Sequence, residues 1–508
     1  MPKVRRNVIA NYAGNGWTAL MSLAFIPLYI KLMGVESYGL VGFYTTLLSV
    51  FVLLDLGIST TVRWHLARLS AEPEKAHEAR NLVRTLEWVY WGTALLIGVI
   101  VYSLAPWIAS SYLQAEELSP EILQEALELI GLTIAVRWPF SFYSGGLMGL
   151  QKQELYNVIR AVIETLRGGG AVLILWLVSP TIQAFFVWQI IISLAGTAAL
   201  GYTLWRSLPA GATKAQFEFS VLRDLWRFSA AVSAHDILVI AVTQIDKLIL
   251  SKLVTLELFA YYTLATTVAS ALYNLITPVA SALYPRFIQL VTLRDENRLR
   301  ELYHHGCQVM SALIAPTAIV LAFFSAEVLL LWTQNPLLVE NAHLITSVLV
   351  LAKALESLQF LPGSLQTAHG MGWIKFGIYL SLASLLVLAP AVYYATTNFG
   401  LLGAAATMLV FHAIITPIMI HVQHRRLLIG EKLRWYVEDV FMPFAAAIVA
   451  ALVLSWALHS YNGQVAQPIL FIYLGGASAI TLLAAAMATP YVRRQVFNLL
   501  KLRLTRAH

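Results

Sequence analysis

A small set of charged side chains lies inside long apolar runs of this sequence, where ionised groups are costly. They are Asp55, Arg137, Glu164, Arg167, Asp236, Asp246, Lys247, Lys353 and Glu356, with His412 as a further titratable residue of the same kind. A charge in the middle of a membrane costs about 2.5–3.5 kcal/mol on insertion scales, and it usually faces a partner or a water-filled cavity. These residues are therefore the first candidates for a binding or proton-carrying site.

Four of these side chains are cations that would suit an anionic substrate: Arg137, Arg167, Lys353 and Lys247. Arginine is well matched to phosphate because its planar fork can hold two oxygens at once. Arg137 has no acidic residue within one helical turn. Arg167 follows Glu164 by three positions, and the two can neutralise each other on one helix face. Lys353 and Glu356 have the same spacing, so they can also form a neutral pair.

The remaining titratable residues are candidates for proton coupling or gating: Asp55, Asp236, Asp246, Glu356, Glu164 and His412. Burial favours the protonated form of a carboxylic acid, so such groups can carry protons. Asp246 and Lys247 are adjacent and lie about 100° apart on a helix. We therefore expect their side chains to point in different directions, and a hinge role is as consistent with them as substrate contact. Asp55 suits either a gate or a helix-packing contact.

Composition identifies the elements that carry these residues. Of 508 residues, 59% are hydrophobic and 12% are charged, whereas soluble domains carry about 25% charged residues. The uncharged runs are about 20 residues long, which is enough to cross a bilayer as a helix. This excludes a soluble enzyme, a coiled coil and a secreted disulfide scaffold. The single cysteine, Cys307, excludes an internal disulfide and is expected to be a small buried hydrophobe.

The apolar runs predict an all-α polytopic membrane protein with about 14 transmembrane helices. They lie at 9–31, 39–62, 85–107, 126–149, 156–178, 182–205, 229–252, 257–283, 306–331, 343–366, 374–396, 401–423, 439–459 and 468–490. Lys and Arg accumulate on the cytoplasmic side of membrane proteins. With a cytoplasmic N-terminus, 28 of the 34 basic residues fall in cytoplasmic segments or at the cytoplasmic ends of spans. Both termini are therefore predicted to be cytoplasmic, and the positive net charge needs no nucleic-acid partner.

An internal repeat divides the chain. The segment 31–39 matches 252–260 at a shift of 221 residues, and Gly145-Gly146-Leu147 matches Gly363-Ser364-Leu365 at a shift of 218. We predict an N-terminal lobe at 1–205, a cytoplasmic linker at 206–228, a C-terminal lobe at 229–423, extra helices at 439–490 and a basic cytoplasmic tail at 491–508. Two six-helix lobes in parallel orientation are expected to enclose a central cavity that holds the substrate.

Three segments resemble Wzx-type polysaccharide flippases: Phe25–Leu40, Leu54–Ile58 with Arg63 beyond it, and Gln244–Lys252 leading into Tyr261-Tyr262. The resemblance covers about 9–423 and the two trailing helices. It implies the MATE-like fold of the multidrug, oligosaccharidyl-lipid and polysaccharide exporters. It also implies a flippase of the bacterial inner membrane that moves an undecaprenyl-pyrophosphate-linked oligosaccharide for O-antigen, capsule or exopolysaccharide synthesis. The implied partners are the bilayer, a polysaccharide polymerase and a chain-length regulator.

Two other functions fit parts of the sequence. A multidrug exporter of the same fold would need a smaller cavity in which acidic residues dominate. A membrane glycosyltransferase or ligase would need a catalytic carboxylate and a large outer loop, but the outer loops here are short. The sequence has no Walker-type, His-Glu-x-x-His or Gly-x-Ser-x-Gly motif. We therefore expect a secondary transporter without a metal or cofactor, and not an enzyme.

Overall fold

The computed structural model describes residue 14 and residues 16–55, 58–69, 76–209, 215–460 and 466–504. These residues are almost entirely helical, as the composition predicts, and a lone parallel bridge joins Gln114 to Thr255. The chain divides into two compact units. Unit 1 contains Met1–Ala260 and Ser381–Leu386, and unit 2 contains Tyr261–Leu380 and Val387–His508.

Unit 1 is built from helices that begin with α1 and end with α9. They are α1 (Ile26–Met33), α2 (Val35–Phe51), α3 (Ile58–Leu69), α4 (Ala76–Trp107), α5 (Pro120–Arg137), α6 (Pro139–Gly149), α7 (Gln153–Leu177), α8 (Ile182–Ser207) and α9 (Phe219–Leu253). A short 3-10 helix, Val52–Asp55, follows α2, and a π-helical turn, Ile108–Tyr112, follows α4.

Helices α10 to α18 lie in unit 2 or extend into it. They are α10 (Leu256–Leu293), α11 (Glu296–Phe323), α12 (Ser325–Thr333), α13 (Pro336–Leu358), α14 (Phe360–Ala368), α15 (Met371–Arg426), α16 (Met442–His459), α17 (Gln467–Ala488) and α18 (Pro490–Leu504). A π-helical turn, Trp435–Phe441, leads into α16. The predicted basic tail is thus helical as far as Leu504.

The helices confirm the predicted class of membrane protein. Eight helical segments among the described residues are long and apolar enough to cross a bilayer, the first being Gly16–Met33 and the last Gln467–Ala488. The backbone of a helix satisfies its own polar groups, which is required where no water is present. The predicted first span begins at residue 9, and its first residues lie outside the described part of the chain.

Several predicted spans are interrupted. The predicted span 126–149 consists of α5 and α6, which meet at Trp138, because Pro139 lacks the N–H that a continuous helix needs. The predicted span 343–366 also breaks, at Gln359, where the next residue is Phe360 and not a proline. Conversely, the predicted spans 374–396 and 401–423 both fall within α15, where Gly400 interrupts the helix with a φ of +61°.

The helix boundaries repeat with the predicted spacing. Helix α2 begins at Val35 and α10 begins at Leu256, which are 221 positions apart. The breaks at Trp138 and Gln359 are also 221 positions apart. The duplication predicted from a short motif therefore extends to the places where helices begin and break. The lobe and linker boundaries given above remain predictions.

Two glycines anchor the segment that follows Arg137. A Cβ on Gly145 would lie 2.7 Å from the carbonyl oxygen of Ser59, and a Cβ on Gly149 would lie 2.6 Å from that of Arg63. Their spacing of four residues places both on one face of α6, where small residues let helix backbones approach closely. Helix α6 is thereby held against α3, and the break before it fixes the end of α5, where Arg137 lies.

Candidate functional site

Arg137 is the last residue of α5 and reaches two neighbouring helices. Its Nη1 donates to the hydroxyl of Tyr44 on α2 at 3.2 Å. Its Nη2 lies 3.9 Å from Oε1 of Glu164 on α7. The acidic partner of Arg137 is thus supplied by another helix, which explains why no acid was found within a turn of it in the sequence.

Glu164 and Arg167 form the ion pair that their spacing predicts. Nε of Arg167 lies 3.3 Å from Oε2 of Glu164. Nη1 of Arg167 also donates to the side-chain oxygens of Gln189 and Ser193 on α8, at 3.1 and 3.2 Å. Both α8 residues are buried. Arg167 is therefore fixed in position by three side-chain contacts, one from its own helix and two from α8.

We call Arg137, Glu164 and Arg167, with Tyr44, Gln189 and Ser193, the arginine cluster. It contains two guanidinium groups and one carboxylate, so its formal charge is positive. The Arg137 side chain is 30% exposed and that of Arg167 is 11% exposed. Arg137 is accordingly the more exposed of the two guanidinium groups, and Arg167 is the one that lies closer to Glu164.

A second cluster lies in unit 2. Nζ of Lys353 lies 2.7 Å from Oε2 of Glu356, as their spacing predicts. Nε2 of His412 on α15 lies 3.5 Å from the same oxygen. The ammonium group of Lys353 is also 5.1 Å from the ring centroid of Tyr273 on α10. We call these four residues the histidine cluster, because its formal charge depends on His412.

The prediction for Asp246 and Lys247 is wrong. Although adjacent residues diverge on a helix, Nζ of Lys247 lies 3.0 Å from Oδ1 of Asp246. The same ammonium group donates to the carbonyl oxygen of Thr243 at 3.0 Å. The flexible four-carbon stem of lysine lets its charged end fold back along the helix. Lys247 is therefore neutralised locally and is the least suited of the four cations to hold a substrate.

Asp55 makes contacts that are typical of a residue that holds helices together. Its Oδ2 accepts a hydrogen bond of 2.8 Å from the Ser59 hydroxyl in the first turn of α3, and its Oδ1 accepts one from the hydroxyl of Tyr90 on α4. Such contacts fix the start of a helix and favour the helix-packing interpretation of Asp55 over a gate. Asp236 lies on α9, and its side chain is outside the described residues.

Two polar networks were missed by the sequence analysis. Glu87 accepts hydrogen bonds from Tyr143, Trp205 and Arg84, at 2.7, 3.0 and 2.8 Å. It stands at the start of the predicted span 85–107 and was not among the candidate residues. The tryptophan and arginine residues that contact Glu87 are visible in the sequence. Only the tertiary structure shows that they meet at its carboxylate.

The second missed network is in unit 2 and contains two fully buried ionisable side chains. Nδ1 of His304 lies 2.5 Å from Oδ2 of Asp439, and Gln308 donates to the other carboxylate oxygen at 2.9 Å. Nε2 of His304 lies 3.2 Å from Glu431. The i,i+4 spacing of His304 and Gln308 was a usable signal, since it places two polar residues on one face of α11.

Neither a metal site nor a reactive thiol is indicated where the chain is described. In that part of the chain, the side chains of His, Cys, Asp and Glu form no group that could hold a metal ion. Cys307 is buried, as expected.

The sequence matches a known protein family. The family model for polysaccharide biosynthesis proteins matches residues 4–291, which is more than half of the chain. A comparison with curated proteins found no match.

Solved structures share the fold. The lipid II flippase MurJ in an inward closed conformation has a TM-score of 0.66 and 12% identity, covering 96% of this chain and 99% of that one. An inward-facing multidrug resistance MATE family transporter of the MOP superfamily has a TM-score of 0.63 and 13% identity, covering 88% and 96%. The Vibrio cholerae MATE transporter VcmN in the bent form has a TM-score of 0.55 and 15% identity, covering 85% and 99%.

Identities this low establish the fold alone, and the family match adds a place in polysaccharide biosynthesis. The protein is a multi-pass membrane protein with the fold that MurJ and the MATE transporters share. By the match over 4–291, this chain belongs to the polysaccharide biosynthesis protein family.

Proposed function

We propose that this protein flips undecaprenyl-pyrophosphate-linked oligosaccharide repeat units across the bacterial inner membrane by alternating access. The single observation that carries the proposal is the arginine cluster, in which Arg137 is held between Tyr44 and Glu164 and remains partly exposed. A diphosphate headgroup needs a fixed cation when it leaves water, because an unpaired charge in a medium of low dielectric constant is very costly.

The geometry suits a diphosphate better than an organic cation. The described carboxylates of unit 1 that lie deepest are each paired: Glu164 with two arginines, Asp246 with Lys247, and Asp55 with two hydroxyl groups. A multidrug exporter for cations would need a carboxylate that a substrate can reach. The likeness to MATE transporters is therefore interpreted as a likeness of fold.

The substrate chemistry suggests the remaining parts of the proposal. The sugars and the diphosphate would travel in a polar environment, while the polyprenyl chain stays among lipids. The flipped repeat units would serve O-antigen, capsule or exopolysaccharide synthesis, and a polymerase with its chain-length regulator would consume them. The termini would lie in the cytoplasm.

A deletion strain tests this function. Without the protein, the lipid-linked glycan should accumulate on the cytoplasmic leaflet, and re-expression of the wild-type chain should clear it. If the glycan instead accumulates unpolymerised on the outer leaflet, the protein acts after flipping and the proposal is wrong. If efflux of organic cations falls while lipid-linked glycan stays unchanged, the multidrug alternative holds.

A further inference from the structure

One interhelical hydrogen bond occurs in both copies of the repeat. The hydroxyl of Thr197 on α8 donates to the carbonyl oxygen of Val136 on α5 at 3.0 Å. The hydroxyl of Thr416 on α15 donates to the carbonyl oxygen of Leu355 on α13 at 3.3 Å. Donors and acceptors are both 219 positions apart. Between this contact and the helix break that follows it, the second copy carries two more residues, so the shift changes from 219 at the contact to 221 at the break. Directly at the contact, equivalent residues of the two copies are 219 positions apart.

The equivalent residues differ in charge. At a shift of 219, Arg137 corresponds to Glu356, the residue directly after the shared acceptor in each copy. At the same shift, Ser193 corresponds to His412. The first copy thus has a cation and a hydroxyl where the second has a carboxylate and an imidazole. Each residue contacts its own cluster: Ser193 accepts a hydrogen bond from Arg167, and His412 lies beside Glu356.

The two clusters therefore respond differently to protons. Arginine stays protonated in proteins, so the arginine cluster keeps a formal charge of plus one when Glu164 is ionised. In the histidine cluster, Lys353 and Glu356 cancel. The titratable groups that face Glu356 are Lys353, His412 and Tyr273. Tyrosine is neutral at ordinary pH, so the formal charge is zero with a neutral His412 and plus one with an imidazolium.

We propose that the histidine cluster is a second anion site, for a phosphate or diphosphate group, which operates only when His412 is protonated. With a neutral imidazole, Glu356 holds the ammonium group of Lys353 at 2.7 Å. Addition of a proton to His412 gives an N–H donor to the same carboxylate oxygen, 3.5 Å away. Lys353 is then released to donate to an anion, and loss of the proton restores the Lys353–Glu356 pair and expels the anion.

Three side chains of the histidine cluster are exposed enough to exchange a proton and an anion. Those of Lys353, Glu356 and His412 are 15%, 17% and 8% exposed, so they are sheltered but not sealed. Charge interactions in such surroundings are stronger than in bulk water. The inference rests on the proposed function, and it adds that the first copy binds the anion at any pH whereas the second binds it with a proton.

Equilibrium binding of inorganic pyrophosphate to the full-length protein in nanodiscs tests the inference. Imidazole side chains gain a proton between about pH 8 and about pH 5.5. The affinity of one of the two sites for pyrophosphate should therefore rise at least about tenfold over this range. His412→Asn should abolish this component and leave the other. Pyrophosphate also gains protons in this range, and comparison with His412→Asn at each pH removes that contribution.

A variant that is expected to gain binding separates the inference from misfolding, because a misfolded protein would not bind better than the wild type. Glu356→Gln removes the carboxylate that occupies Lys353, so the second site should bind pyrophosphate even at about pH 8. Lys353→Gln should lose this site at every pH. A second arm uses farnesyl diphosphate. A pH-dependent component seen with both probes assigns the site to any diphosphate, and one seen only with farnesyl diphosphate assigns it to a lipid-borne headgroup.

Two results would count against the inference. If wild type and His412→Asn bind both probes with the same pH dependence, the conditional site does not exist, while binding that needs Arg137 would leave the proposed function intact. If neither probe binds at any pH, the proposed function fails together with this inference.

Discussion

Arg137 and Arg167 differ in how much of each side chain is left for a ligand. Arg167 is tied to Glu164, Gln189 and Ser193, whereas Arg137 has one hydrogen bond and a longer ion-pair contact. Charge-assisted hydrogen bonds contribute about 1.5–3 kcal/mol each. The weaker tethering of Arg137 makes it the better candidate for the group that contacts the substrate.

We therefore predict that Arg137→Gln weakens binding of the diphosphate-linked glycan by about ten- to hundredfold. Arg137→Lys should recover only part of this, because an ammonium group lacks the two-pronged geometry of the guanidinium. Arg160→Gln, on the same helix as Arg167, is the matched control and should change affinity less than about twofold. Titration of the glycan into the protein in nanodiscs measures all three, and equal losses for Arg137→Gln and Arg160→Gln would show a general charge effect.

Residue spacing predicted some contacts of the site but not others. The Glu164–Arg167 and Lys353–Glu356 pairs follow from i,i+3 spacing on one helix. The contact between Arg137 and Glu164 does not, because it depends on how α5 packs against α7. The Lys247–Asp246 pair was excluded on helical geometry alone, which ignores the length of the lysine side chain.

Helix packing at the start of α2 depends on a glycine. A Cβ on Gly39 would lie 2.2 Å from the carbonyl oxygen of Leu256, too close for any side chain. Gly39 belongs to the repeat motif, so part of that motif reflects close backbone approach. The adjoining Glu36 is buried, and its carboxylate accepts backbone N–H groups of Glu116 and Glu117 at 2.6 Å.

We predict that Gly39→Ala lowers the free energy of unfolding by about 1–3 kcal/mol, because the added methyl group overpacks this contact. Gly92→Ala is the control: no atom lies within 4 Å of its added Cβ. In a helix interior that change should stabilise by about 0.5–1 kcal/mol. Denaturant titration in detergent should thus give shifts of opposite sign. Shifts of the same sign would contradict the packing at Gly39.

The network of His304 and Asp439 joins α11 to the turn that leads into α16. Removing one partner of a buried hydrogen bond leaves the other polar group unsatisfied and costs about 1–3 kcal/mol. We predict a loss of this size for Asp439→Ala. The neighbouring Glu438→Ala should cost less than about 1 kcal/mol, because the Glu438 side chain is 39% exposed and pairs with Arg434 near solvent. Thermal unfolding in detergent compares them, and equal losses would mean that burial of the pair is unimportant.

Hydropathy predicted where helices lie better than where they break. Apolar residues continue through Trp138 and Gln359, so the mean hydropathy of a sliding window predicts one uninterrupted span at each of these positions. Pro139 signals the first break, but the second has no proline at the equivalent position. Pro316 lies within α11, and that helix continues through it. Breaks depend on tertiary contacts that the residue pattern does not contain.

At the scale of the molecule, the distribution of basic residues predicts the orientation in the membrane. The only cysteine is buried, so a Cys307→Ala chain offers a clean background for labelling. In that background we predict that Glu117→Cys reacts with a membrane-impermeant maleimide in intact spheroplasts. Arg298→Cys, also an exposed position, should react only after permeabilisation. The reverse pattern would invert the topology, and labelling of both positions in intact spheroplasts would refute the assigned loops.

Composition and the internal repeat were sufficient to predict the fold class, because both are properties of the whole chain. The equivalence of Arg137 with Glu356 was missed, since the motif-based shift of 218 places Leu355 opposite Arg137. Only the Thr197 and Thr416 hydrogen bonds fix the shift of 219 near these residues. The correspondence between the arginine cluster and the proton-dependent site is visible only at a shift of 219 residues.

The most direct test is flipping by the purified protein. A fluorescent polyprenyl-diphosphate oligosaccharide is incorporated into both leaflets of proteoliposomes, and dithionite then quenches only the label that reaches the outer surface. We predict that wild-type protein makes nearly all of the label accessible and that folded Arg137→Gln protein is markedly slower. If wild-type proteoliposomes lose no more fluorescence than protein-free liposomes, the protein does not flip this class of lipid.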